Sequence, residues 1–186
     1  MRVVVEPEYR CGTCEYCRSG RYNLCRSMGF VGLMGDGAMA DNVVVPAYTL
    51  HALPDEVSYE QAATFEPAAV ALHAVRRSTL QAGDDCAVFG LGPVGLLIVA
   101  MLRRCGAGSI VAVDVNPQRL ALAGAMGATH TVDASKEDAV AVVQRATAGR
   151  GATVAFEVAG VQASLDSTLG CVCKGGEVVL LSLIHI

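Results

Sequence analysis

The chain has 186 residues, 53% of them hydrophobic, with 20 glycines and a net charge of −4 from 14 basic and 18 acidic residues. That is enough chain for one domain, or for parts of two, around a sizeable buried core. No basic stripe marks a nucleic-acid partner, and the longest apolar stretch, residues 94–102, is too short to span a membrane.

The chain opens on Met1, Arg2 and three valines, and Glu6-Pro7-Glu8 then breaks the apolar run. Nothing here reads as a signal peptide. A reducing, cytoplasmic setting is expected, which weakens disulfides as a reading of the cysteines. Val3–Val5 reads as a strand. Next comes CGTCEYCRSGRYNLC, which places Cys11, Cys14, Cys17 and Cys25 in a C-x2-C-x2-C-x7-C pattern. Two-residue loops let successive thiolates face one centre, and the longer arm closes a tetrahedron. Zinc, an iron–sulfur cluster and disulfides compete for these residues. A bacterial ferredoxin run carries a shorter last spacing followed by proline, absent here. We read the site as a closed, structural zinc with no open position for substrate. Arg10, Arg18, Arg21 and Arg26 flank it and would offset part of its negative charge. Cys86, Cys105, Cys171 and Cys173 read as buried free cysteines.

Residues 43–45 are three valines and read as a strand. Ser58 and Gln61 form a capping box. A helix follows to about residue 76, with Pro67 opening its second segment. Beyond residue 81, strands and helices alternate, the signature of a parallel sheet covered on both faces. The predicted strands are residues 86–89, 110–114, 130–132, 153–157 and 177–181. The predicted helices are residues 93–104 and 117 to about 126, the second opened by Asn116-Pro117. A further helix is expected to be capped by Ser135 with Asp138.

Between the first of these strands and its helix stands Gly90-Leu91-Gly92-Pro93-Val94-Gly95, a G-x-G-x-x-G in the strand–loop–helix context of a dinucleotide site. The first glycine permits the tight turn. The second lets the backbone approach a pyrophosphate at the helix N-terminus, and the third lets helix and strand pack closely. Asp114 follows nineteen positions after Gly95, at the end of the second strand. Its carboxylate suits ribose hydroxyls and repels a 2′-phosphate, which favours NAD over NADP. The alternative is that Asp114 only caps the following loop.

A four-cysteine lobe followed by this nucleotide motif resembles the zinc-dependent medium-chain alcohol and polyol dehydrogenases. The segments VVVEPEYRCGTCEYCRSGRYNLC, GLMGDGAMADNVVV and FEPAAVALHAV are most similar to the (R,R)-2,3-butanediol dehydrogenases and their sorbitol dehydrogenase relatives. The resemblance implies an α/β chain. Residues 1–80 would be part of a GroES-like β domain with its structural-zinc lobe. Residues 81–180 would be an incomplete Rossmann domain, a doubly wound parallel sheet. The implied activity is NAD-linked oxidation of a secondary alcohol or vicinal diol, with a second, catalytic zinc polarising the alcohol oxygen.

By the same resemblance, Glu66 matches the acid that ligates or closely approaches the catalytic zinc. Its alternative is a carboxylate stabilised by a helix dipole. Arg119 matches a residue beside the adenosine; its alternative is a solvated helix face. His73 reads as a core histidine, and none of the four histidines builds a metal site. The resemblance also implies a Cys and a His-Glu pair upstream of Val3, and a sixth strand with returning helices downstream. Residues 181–186 depart from the family and resemble a translated sequencing adapter. The expectation is a gene fragment, inactive alone, with no catalytic residue assigned, drawn from an enzyme that is homo-oligomeric at full length. A sorbitol- or threonine-type dehydrogenase is the alternative within the class. A non-catalytic zinc- and nucleotide-binding module is the alternative outside it.

Overall fold

A computed structural model describes residues 1–181. The tail read as foreign lies outside them, apart from Leu181. The backbone forms two compact units, Met1–Glu66 and the part from Pro67 on. The division falls ahead of residue 80 because helix α3 (Phe65–Arg77) sends Ala71, Ala74 and Val75 into the second unit's core.

The first unit is built of short pieces. Strand β1 (Val3–Val5) pairs antiparallel with β4 (Leu50–Ala52), and β2 (Glu8–Tyr9) with β3 (Gly29–Phe30). A one-turn helix α1 (Glu15–Arg18) lies between β2 and β3. Helix α2 (Tyr59–Ala62) carries the expected capping box: the Gln61 N–H donates to Ser58 Oγ, and the Ser58 N–H to Gln61 Oε1. Residues 43–45 form no strand, and Val44 is 95% exposed. Their β-branched side chains favour extended backbone, but a strand also needs a partner and a face to bury.

The second unit holds a five-stranded parallel sheet. Its strands are β5 (Cys86–Phe89), β6 (Ile110–Asp114), β7 (His130–Asp133), β8 (Ala152–Glu157) and β9 (Val172–Leu180), in the order β7-β6-β5-β8-β9. Side chains alternate between two cores. Cys86 and Val88 join Ile98, Leu102, Ile110 and Phe156 on one face. Ala87 and Phe89 join Val111, Val113, Val143 and Ala155 on the other. Helices α4 (Pro93–Arg104) and α5 (Pro117–Met126) cover the first face, and α6 (Ala139–Ala146) and α7 (Gln162–Cys171) the second. With both faces covered, the central strand β5 and residues 110–113 of β6 are apolar without interruption, while the edge strands β7 and β9 carry polar and charged residues.

Several expectations change. Helix α7 is not signalled in the sequence: no side chain caps it at Val161 and its apolar residues follow no clear stripe. Strand β9 starts at Val172, earlier than expected. Asp138 caps α6 alone, accepting from the Val140 and Ala141 N–H groups, while Ser135 turns back to Asp133. His73 is exposed, because the buried stripe of α3 runs through Ala71, Ala74 and Val75 and His73 falls on the opposite side. Cys86 and Cys171 are buried, and burial pushes both thiols up to about 12. Cys105 is exposed at the end of α4, and Cys173 is half-buried.

Candidate metal centre and dinucleotide cleft

The four sulfurs of Cys11, Cys14, Cys17 and Cys25 all lie within 4.8 Å of one another. Cys14 and Cys17 Sγ are 3.6 Å apart, and Cys11 and Cys17 Sγ 3.9 Å. All four thiols are free. A tetrahedron of Zn–S bonds of about 2.3 Å has S···S edges of about 3.8 Å, so the spacing fits one zinc ion. Local backbone sets this up. Cys14 is the N-cap of α1, which brings Cys17 round by one turn. The Thr13 and Cys14 N–H groups each donate to Cys11 Sγ at 3.4 Å, and the Cys11 N–H donates to Cys25 Sγ at 3.4 Å.

Such donors favour thiolate. The Thr13 hydroxyl and the Thr13 and Cys14 N–H groups hold Cys11 down to about 5. Burial is the main reason Cys17 rises to about 12. The flanking arginines are largely engaged elsewhere. Arg26 pairs with Glu15 at 2.6 Å, Arg10 lies over the rings of Tyr22 and Tyr48, and Arg21 over Tyr16. Among the described residues, the four cysteines are the one group of three or more metal-ligating side chains. Glu66 stands exposed in the first turn of α3 and joins no such group.

The second candidate site lies outside the carboxyl ends of β5, β6 and β8. The chain moves outward from β5 to β6 and β7, then returns to β8 on the other side of β5. A crevice opens at such a reversal. Here it is a cleft of about 520 Å³, with Gly90, Gly92, Asp114, Arg119, Ala159 and Ser164 in its lining. A more open groove of about 540 Å³ beside α5 and β7 contains none of the glycine loop.

Each motif glycine has its own reason. Gly90 has φ +94°, and a Cβ there would lie 2.7 Å from the Ala159 nitrogen. A Cβ on Gly95 would lie 1.9 Å from the Gly90 carbonyl oxygen, so helix and loop pack without room for one. A Cβ on Gly92 would meet nothing within 4 Å. Gly92 is therefore bare on the side open to a ligand. It is also the N-cap of α4, which no side chain caps, so the N–H groups of that first turn remain available to an anion. Pro93 occupies the first turn, exposed, and Val94 packs on the core.

Asp114 is 9% exposed. Its Oδ2 accepts the Leu91 N–H at 2.7 Å, and its Oδ1 accepts the Val115 and Asn116 N–H groups at 2.8 Å. It thus caps the following loop and also ties down the glycine loop while lining the cleft. Arg119 Nη1 stands 3.7 Å from Asp114 Oδ2, on a half-exposed side chain at the cleft edge. Glu157, which the sequence marks only as the end of a strand, is 2% exposed and anchors the loop after β8. Its signal in the sequence is an acid closing an apolar strand, as with Asp114, here followed by Val158-Ala159-Gly160.

Residues 93–186 match the family described as zinc-binding dehydrogenase, and residues 1–55 match the alcohol dehydrogenase GroES-like domain. The chain belongs to the zinc-binding dehydrogenases. It is 45% identical over 183 residues to the (R,R)-butanediol dehydrogenase of Bacillus subtilis strain 168, covering 98% of this chain and 51% of that one. It is 42% identical over 183 residues to the sorbitol dehydrogenase of the same organism, covering 98% and 52%. A structural neighbour from Sinorhizobium meliloti 1021 was solved bound to NADP; it is 34% identical, with a TM-score of 0.88 over 98% of this chain and 54% of its own. The chain spans about half the length of the curated relatives it matches. Zinc and a nicotinamide dinucleotide are the typical cofactors of this zinc-binding dehydrogenase family, whose members act on small alcohols or polyols. The five-stranded sheet is a partial Rossmann domain, and the first unit is GroES-like. Among the described residues, no helix is long and apolar enough to cross a membrane.

Proposed function

We propose that this zinc-binding dehydrogenase chain is part of an NAD-dependent oxidoreductase of secondary alcohols or vicinal diols, with 2,3-butanediol as the model substrate. We also propose that its 186 residues alone are inactive. The observation that carries the cofactor reading is the cleft at the strand reversal, where a bare glycine, an uncapped helix N-terminus and Asp114 meet. When bound, the dinucleotide takes the hydride and a catalytic zinc polarises the alcohol oxygen. The first turn of α4 would hold the pyrophosphate, and Asp114 would take the ribose hydroxyls. Cys11, Cys14, Cys17 and Cys25 would hold a structural zinc whose four positions are all filled by thiolate. Glu66 would serve the catalytic zinc only with further ligands.

A sorbitol- or threonine-type activity is the alternative within the class, and substrate screening of a full-length relative of this chain distinguishes them. The isolation of Glu66 favours a second reading for the chain as it stands, a non-catalytic zinc- and nucleotide-binding module.

Asp114 tests the cofactor choice. The chain should bind NADH more tightly than NADPH, and Asp114→Gly should narrow that difference by removing the carboxylate that repels a 2′-phosphate. The variant should also melt earlier, because three backbone donors lose a charged acceptor, worth about 2 kcal/mol or more. Fluorescence titration and a thermal melt read the two effects. Tighter binding of NADPH by the unmutated chain overturns the role given to Asp114.

A further inference from the structure

We propose that Glu157 is a positioning residue for the nicotinamide half of a dinucleotide in the cleft, an inference that rests on the dinucleotide reading above. Glu157 ends β8 and is 2% exposed. Its Oε1 accepts the Ala159 N–H at 3.0 Å, the Gly160 N–H at 2.9 Å and the Ser164 hydroxyl at 2.8 Å. One oxygen therefore gathers the whole loop after β8 and the first turn of α7. Val158, Ala159, Val161 and Ser164 from that segment line the cleft. The loop is also pressed against the glycine motif: Gly90 has no room for a Cβ beside Ala159, and the Val158 N–H donates to the Phe89 carbonyl at 2.8 Å.

Asp114 does the corresponding work on the other side of β5. The glycine loop thus lies between two loops, each fastened by an acid at a strand end. Asp114 marks the adenosine side, and the α4 N-terminus marks the pyrophosphate. The rest of a dinucleotide must then cross the strand reversal toward β8, and the wall it meets there is the one Glu157 holds. A buried carboxylate is costly to desolvate unless its hydrogen bonds are satisfied. Here three donors converge on it, and what they fix is the shape of a binding wall.

The geometry selects the variants. Because all three donors meet one oxygen, the glutamine carboxamide can keep them with its own Oε1. Aspartate keeps the charge but falls short by a methylene. The purified 186-residue chain is titrated with NADH by fluorescence and with AMP, the adenosine half of the same molecule, by calorimetry. Glu157→Asp and Glu157→Ala should weaken NADH by about tenfold, with AMP affinity unchanged. Glu157→Gln should stay within about threefold of the unmutated chain for both ligands. Where the alanine variant melts too early, aspartate and glutamine decide the same comparison. An NADH-to-AMP affinity ratio that aspartate leaves unchanged overturns the proposal. So does a glutamine variant that loses NADH as fully as aspartate, since charge and not position would then be at work. An unmutated chain that binds neither ligand sinks the dinucleotide reading itself, a result distinct from either of these.

Discussion

Purified and supplied with excess NAD, zinc and 2,3-butanediol, the 186-residue chain is expected to form no NADH. A catalytic zinc takes about three protein ligands plus a water or substrate. Among the described residues the only cluster able to hold a metal is the four-cysteine one, which leaves a bound zinc no open position. Glu66 stands apart from it on the exposed first turn of α3. Joining the chain to the remaining segments of the Bacillus subtilis butanediol dehydrogenase should restore NAD-linked oxidation of the diol. In that chimera Glu66→Ala should lower turnover by about 10–100-fold, the usual loss when a metal site's immediate support is removed. The assay is NADH absorbance after host dehydrogenases have been cleared. Steady turnover by the unextended chain would mean that its own residues complete a catalytic site and that our account of Glu66 is wrong.

The second large effect concerns the lobe. The purified chain should carry about one zinc, and Cys14→Ser should bring that close to none. Cys105→Ser is the control, since Cys105 is exposed and outside the cluster. The loss should unfold the lobe as well as empty it. Its strands are two or three residues long, and of the lobe's cysteines only Cys25 is buried. So small an apolar core leaves the metal as the main source of order, and structural zinc contributes about 10 kcal/mol or more in comparable small sites. Metal analysis and a thermal melt read the two consequences. Full zinc retention by Cys14→Ser, or zinc-free protein with an unchanged melt, overturns the assignment.

What the sequence disclosed depends on how local each signal is. Asn116-Pro117 and Ser58 with Gln61 fix helix starts through neighbours within one turn, and both could be read directly. The glycine motif was legible from its spacing between strand and helix, where Gly90 and Gly95 answer separate steric demands and Gly92 leaves one side of the turn bare. The three valines at residues 43–45 misled because extended preference says nothing about whether a partner strand is present. Helix α7 escaped because tertiary packing holds it, through Thr168 and Cys171, in place of a cap or an apolar stripe. His73 shows the limit of composition: alanine and leucine surround it in sequence, yet helical phase turns it outward. At the candidate sites, Asp114 was legible as an acid closing its strand, but its grip on the Leu91 N–H joins residues far apart in sequence. Glu157 needed the same long-range view.

The pairing of β5 with β8 carries a consequence for the order of assembly. Cys86 pairs with Ile110 through one short crossover, but with Val154 only after β6, α5, β7 and α6 have intervened. Closing the longer loop costs more chain entropy, and contacts so distant in sequence form slowly. The half built on β5, β6 and β7 can therefore gather first, with its glycine loop and Asp114 in place but no wall across from them. The cleft becomes whole only when β8 docks. A dinucleotide that touches both sides of β5 would then bind the finished sheet and not the half-built one, and by mass action it would hold the chain in the finished state.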